Sequence, residues 1–189
     1  VQTEARPILD RWPKWEKNFI NITGEAQSGK THLINIFLKK NKGLRIEANF
    51  LKDIHLKDIK IYENIIIENL TSVINEKLFY SLLNLIEQDN KYIIATSLVP
   101  IVYLDFKLND LKSRTKNFLL LNIEQPDDEL IFAIIVKNLS DRQIILDKRL
   151  IQYIVKRIER SYSKIYDFIY KIDQMSLKKK KSIDLKIIK

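Results

Sequence analysis

The string Gly24-Glu25-Ala26-Gln27-Ser28-Gly29-Lys30-Thr31 limits what this chain can fold into more than any other feature. It satisfies all four fixed positions of G-x-x-x-x-G-K-[ST], a loop that requires a strand before it and a helix opening inside it. Both are present, because the apolar run Phe19 to Thr23 ends at the loop and an amphipathic helix is predicted from Lys30 to Lys40. Two of the three glycines in the whole chain occupy its two glycine positions. In such a loop the backbone N–H groups and the helix N-terminus cradle phosphates, the lysine reaches the β- and γ-phosphates, and the hydroxyl ligates Mg²⁺. The candidate phosphate cradle is therefore Gly24, Glu25, Ala26, Gln27, Ser28, Gly29, Lys30 and Thr31, with His32 adjoining it.

Around the loop, short β-branched runs alternate with longer helical periods, which predicts a parallel sheet with crossover helices. The expected strands are Phe19 to Thr23, Leu44 to Ala48, Asn64 to Asn69, Tyr92 to Ser97 and Phe118 to Glu124. Three of them (IIIEN, YIIATS and FLLLNIE) are nearly continuous in apolar residues and are expected in the middle of the sheet. A second helix is expected from Glu76 to Gln88, with Leu78, Leu82, Leu85 and Ile86 at helical spacing. After Pro126 the strand-like runs stop, and helical periods follow at Asp127 to Leu139, Asp147 to Ile158 and Tyr162 to Leu177. The expected organisation is thus an α/β nucleotide-binding domain over 1–125 and a small helical domain over 126–189, ending in the lysine run 178–181.

A P-loop ATPase also needs an acid at the end of a neighbouring strand. Glu68, just past three isoleucines, stands there and joins Thr31 as a candidate Mg²⁺ ligand. The next position, where an ATPase carries the acid that polarises the attacking water, is Asn69, whose amide cannot accept that proton, so slow unaided hydrolysis is expected. Thr96 and Ser97 end another strand with hydroxyls suited to sense a γ-phosphate or position water, although such residues are common at strand ends. Arg114, in Leu111-Lys112-Ser113-Arg114, is of the type that stabilises a transferring phosphoryl group, or else is an ordinary solvated charge.

Composition narrows the class. The net charge of +9 suits an acidic partner such as nucleic acid. The same excess of Lys, Ile and Asn is what an AT-rich genome imposes through its codons. No cysteine is present, which excludes disulfides and zinc-thiolate sites and suits a cytoplasmic location. No apolar run approaches the roughly 20 residues needed to span a bilayer.

The strings WPKW, FINITGEAQSGKTHL, IIIEN, ATSLVP, DLKSR, PDDEL, DRQ, YIVKRIERS and IDQMSL, in that order, resemble the AAA+ proteins related to the bacterial replication initiator DnaA. Among those the likeness runs to the Hda-type regulators of the initiator, in their alphaproteobacterial form. The resemblance covers nearly the whole chain. It implies an AAA+ base of five parallel strands followed by a three-helix lid, ATP or ADP as ligand, and action on DnaA: regulators of this type, bound to the DNA-loaded sliding clamp, stimulate hydrolysis of ATP on the initiator. It further implies that Arg114 is an arginine finger acting in trans. Trp12, Pro13 and Trp15 then match a segment near the adenine pocket, with core packing as an equal reading. The family's second sensor, an arginine in the last lid helix, falls on Ser163, with Arg160 one turn earlier as its substitute.

The sequence ends at Lys189 without a helix-turn-helix region, which leads one to expect the regulator over the initiator, with DNA contact weak or indirect. It opens at Val1 without a recognisable clamp-binding peptide, so that segment was trimmed or the clamp contact is absent. A homo-oligomer is compatible with the reading. The competing readings are a truncated initiator or helicase loader that contacts DNA directly, a small-molecule kinase or NTPase, and a degenerate adaptor that uses nucleotide structurally.

Overall fold

The computed structural model describes residues 5–179. By their contacts these residues form two compact units, one comprising residues 5–24 and 29–124, the other residues 25–28 and 125–179.

The first unit is a five-stranded parallel sheet with strand order β2-β3-β4-β1-β5. Its strands are β1 (Phe19–Thr23), β2 (Gly43–Glu47), β3 (Asn64–Leu70), β4 (Tyr92–Ser97) and β5 (Leu119–Asn122). Its helices are α1 (Ala5–Leu9), α2 (Lys30–Lys40), α3 (Asp53–Asp58), α4 (Glu76–Gln88) and α5 (Asn109–Thr115). From β1 the chain crosses to the far edge at β2, returns through β3 and β4, and passes β1 to finish at β5. The carboxyl end of β1 is therefore a switch point, where open α/β sheets bind ligands.

Two of the three most apolar strands, β3 and β4, lie in the interior of the sheet as expected, and the third does not. FLLLNIE is the edge strand β5, where Leu120 is 42% exposed, and its ladder is limited to Leu119–Asn122 because its one partner, β1, is itself short. An interior place, between β4 and β5, belongs instead to β1, buried along its whole length despite Asn21 and Thr23. Asn21 is tolerated there because its amide donates to the Ala95 carbonyl (3.1 Å) and Ser97 Oγ (2.9 Å) while its Oδ1 accepts from the Ile101 N–H (2.8 Å). A fully bonded polar side chain thus replaces an apolar one on an interior strand of the sheet.

β2 begins one residue before its expected start, and Ala48 opens a short 3₁₀ turn instead of ending the strand. The short helices α1 and α3, of five and six residues, carry too little periodicity to be read from the sequence.

The second unit contains α6 (Asp128–Asp141), α7 (Lys148–Val155) and α8 (Tyr162–Lys179) around a core that includes Ile131, Ile135, Leu150, Ile154, Ile165 and Ile169. Asp127 and Asp147 cap α6 and α7, accepting from the N–H groups of Leu130 (2.8 Å) and Arg149 (2.7 Å). The side chains of the lysine run 178–181 lie outside the described residues.

Candidate nucleotide-binding site

At the carboxyl end of β1 the chain turns into α2 through Gly29, whose φ of 95° is a left-handed conformation that glycine adopts without strain. No side chain caps α2, whereas α4, α6 and α7 are each capped by an Asn or Asp. A helix start without a protein cap leaves its first N–H groups to a ligand, and an anion suits them best. Lys30 is buried, with Nζ donating to the Gly24 carbonyl at 2.6 Å. Ser28 Oγ is also buried and has no hydrogen-bond partner among the described residues, a polar group that a phosphate oxygen would satisfy. His32 is exposed on the first turn of α2.

Glu68 ends the buried run of β3 at 1% exposure. One carboxylate oxygen accepts from Thr31 Oγ1 at 3.0 Å, and the other is ion-paired with Arg45 Nε. Arg45, on β2, also donates through Nη1 to Asn35 Oδ1 of α2 at 3.1 Å. Thr31 and Glu68 are hard oxygen donors of the kind Mg²⁺ takes. The only negative charge of the two, on Glu68, is already paired with the Arg45 guanidinium, so the donors as arranged do not fit the ion. Arg45 escapes sequence reading because pairing register decides its neighbours; the one signal was its alternation with Leu44 and Ile46.

Next to Glu68, β3 bulges, its register with β4 slipping between Ile67 and Leu70 while Asn69 takes a φ of 56°. The Asn69 backbone N–H donates to Thr96 Oγ1 (3.1 Å), and its side-chain amide donates to Glu47 Oε1 (2.6 Å). Ser97 Oγ donates to the Val99 carbonyl at 2.6 Å and accepts from Asn21. Both strand-end hydroxyls are thus engaged in holding the carboxyl edge of the sheet together.

Arg114 lies at the other edge. It is ion-paired with Glu87 near the end of α4 and stands 6.0 Å from the Tyr80 ring centroid. Glu87 in turn lines a cavity with Lys17, Asn18, Phe19, Asn90 and Asn117, which lie at or near the amino ends of β1, β4 and β5. A strand such as β4 separates that edge from the carboxyl edge by about 17 Å. Glu76 holds the entry to α5, accepting from the N–H groups of Lys107 (2.8 Å) and Leu108 (2.6 Å), and these backbone donors hold its carboxyl below the ordinary range.

The tryptophans also belong to the amino edge, where both stack edge-on to Tyr92, the first residue of β4 (centroids at 5.9 and 5.4 Å), and pack on Phe37 of α2 (6.3 and 5.7 Å). Of the two readings open for them, these contacts favour packing, at the end of the sheet remote from Lys30. Pro13 belongs to the same cluster, its carbonyl accepting from Tyr92 Oη at 3.1 Å.

Within the second unit the Glu25 carboxylate accepts from Ser161 Oγ (2.6 Å) and from the Tyr162 backbone N–H (3.1 Å), so it closes the start of α8. Burial and the nearby Glu25 carboxylate push the Tyr162 phenol up. Ser163 Oγ pairs with Ser161 Oγ at 2.9 Å. Arg160 is turned to Asp128 at 2.9 Å and is largely exposed. Ala26 and Gln27 are both exposed. Among the described residues no cluster of three His, Asp or Glu side chains could hold a metal, and no helix is long and apolar enough to cross a membrane.

No protein-family model matches the chain. It is 25% identical over 200 residues to the chromosomal replication initiator protein DnaA of Buchnera aphidicola subsp. Cinara cedri (strain Cc), covering 92% of this chain and 46% of that protein, and so spans about half of the curated relative's length. Domain III of the Thermotoga maritima replication initiation protein DnaA superposes with a TM-score of 0.75 at 19% identity, over 97% of this chain and 86% of that one. AMPPCP-bound DnaA from Aquifex aeolicus superposes with a TM-score of 0.67 at 19% identity, over 93% and 62% of the two chains. The fold is that of the DnaA-related AAA+ ATPases.

Proposed function

We propose that this chain is an adenine-nucleotide-binding AAA+ regulator of chromosomal replication initiation, which stimulates hydrolysis of ATP bound to the initiator DnaA. In this reading 1–125 is the nucleotide-binding base and 126–189 the lid. Gly24–Thr31 hold the phosphates, with Lys30 as their cation and His32 flanking them. Arg114 is the finger presented to nucleotide on another protein. Asn69 and Thr96 shape the carboxyl edge without supplying a base, so hydrolysis by the isolated chain is slow. In the lid Arg160 stands in for a second sensor, with Asp128 as its resting partner. The nucleotide assignment draws on the AMPPCP bound to the Aquifex aeolicus initiator, transferred here as a proposal.

One observation carries the reading. Arg114 is fixed by Glu87 at the sheet edge opposite Lys30, where it cannot serve its own loop. A guanidinium delivered by docking stabilises phosphoryl charge only once the partner is engaged, which makes hydrolysis conditional on assembly. Arg114→Ala is expected to keep its own nucleotide affinity and to lose stimulation of ATP-loaded initiator with sliding clamp and DNA present. A finger is worth about 10³ to 10⁵ in rate, so phosphate release reads the loss directly. Normal stimulation by the variant would defeat the proposal.

A second reading, the ATP-binding domain of an initiator-like protein that touches DNA itself, is favoured by the likeness to DnaA domain III. Tight binding of single-stranded DNA by the isolated chain, with no effect on the initiator's ATPase, would select it.

A further inference from the structure

We infer that Arg45 is a built-in counter-cation for Glu68, so that this phosphate loop binds adenine nucleotide nearly independently of Mg²⁺. The inference rests on the nucleotide-binding reading above and concerns the same site.

The parallel register sets Arg45 opposite Ile66 and Glu47 opposite Glu68. Residues two apart on a strand share a face, so Arg45 is the diagonal neighbour of Glu68 on one face of the sheet. Glu47 stands opposite Glu68 in the register and accepts from the Asn69 side-chain amide, which leaves Arg45 to Glu68. Glu68 is buried, and a buried carboxylate needs a partner charge. In a metal-dependent loop the ion meets that need. Here the chain meets it, with the Arg45–Glu68 ion pair and an Asn35 contact on the helix that begins at the loop itself.

Two features make the substitution durable. The guanidinium is a planar, weakly hydrated cation whose fork matches a carboxylate, which suits it to a half-buried pair. Breaking a pair with one partner buried leaves that charge exposed to a desolvation penalty, which an incoming ion must overcome while shedding some of its own water. The second point is tempered by the 43% exposure of the Arg45 side chain, which gives it a route outward. The Asn35 hydrogen bond opposes that route by holding the head group over α2.

The test is calorimetric titration of ATP and ADP into the full chain, once with excess Mg²⁺ and once with EDTA. The wild-type affinities are expected to agree within about threefold between the two conditions. Arg45→Met keeps most of the stem but removes the charge, and should bind at least about tenfold more weakly in EDTA than in Mg²⁺. Arg45→Lys, which keeps a charge, should fall between the two. A wild-type affinity that drops tenfold or more in EDTA overturns the inference whether or not the variants fold. Equal magnesium dependence in wild type and a folded Arg45→Met also overturns it. Absence of nucleotide binding in both buffers overturns the phosphate-loop reading and this inference with it, which separates the two failures.

Discussion

The two ends of the one sheet bury different things. At the carboxyl edge the strands end in Glu68, Thr96 and Ser97, all buried, each hydrogen-bonded, and set beside a helix start that no side chain caps. At the amino edge Trp12, Trp15, Phe37 and Tyr92 form an aromatic cluster, with Arg114 and Glu87 near the amino ends of β1 and β5. The first edge holds buried polar groups satisfied by partners within the chain, the second holds apolar mass and a charged pair at its rim. Substitutions at the carboxyl edge should therefore change binding before stability, and those in the aromatic cluster should do the opposite.

Lys30→Ala is the largest expected effect. It removes the ammonium facing the loop and should abolish measurable ATP and ADP binding, while the melting temperature of the ligand-free protein moves little. Calorimetry and a thermal melt on the same sample check both halves. Unchanged nucleotide affinity would break the comparison at its stronger end.

Phe37→Ala tests the other end. Phe37 is buried between both tryptophans, and truncating a buried phenylalanine costs about 3–5 kcal/mol. Denaturant unfolding should show that loss, with nucleotide affinity held within about twofold of wild type where the variant is folded. A large loss of affinity in the folded variant would mean that the two ends are coupled through α2.

How far this division was legible in the sequence depended on whether a feature was local. The phosphate loop, the strand before it and the helix after it are contiguous, so Lys30, Thr31 and the β1 bounds can be read directly. Glu68 is legible because a carboxylate after three isoleucines is conspicuous. Arg45 and Glu47 were not, since their meaning comes from the β2–β3 register, which periodicity alone does not fix. The interior place of β1 was hidden for a related reason: Asn21 looks foreign to a buried strand until its partners on β4 and at Ile101 are known. The two readings of the tryptophans could not be separated because position along the chain says little about which edge a segment covers. Glu25 closing α8 joins residues 136 and 137 positions apart and left no local trace.

The smallest effect concerns how Arg114 is held in place. Glu76 accepts from the backbone N–H groups at the entry to α5, the helix that carries Arg114, and those two donors, from Lys107 and then Leu108, are the leading causes of its lowered pKa. For a carboxyl depressed in the folded state, the unfolded chain takes up its proton first as pH falls. The stabilisation is thus present above the unfolded value near 4.5 and is lost as pH drops through the folded pKa. Glu76→Gln should lower the melting temperature slightly at neutral pH, and the difference from wild type should shrink as pH falls below that value. Asp10, whose pKa is lowered chiefly by its hydrogen bond to Lys40, remains in both proteins, so the difference between them isolates Glu76. Hydrogen exchange at the amides of 107 and 108 is the local readout, expected to be faster in the variant at neutral pH and equal in the two proteins in acid. A gap in melting temperature that stays constant down to strong acid would show that Glu76 acts through its shape and not its charge, and that Arg114 is held by its Glu87 contact alone.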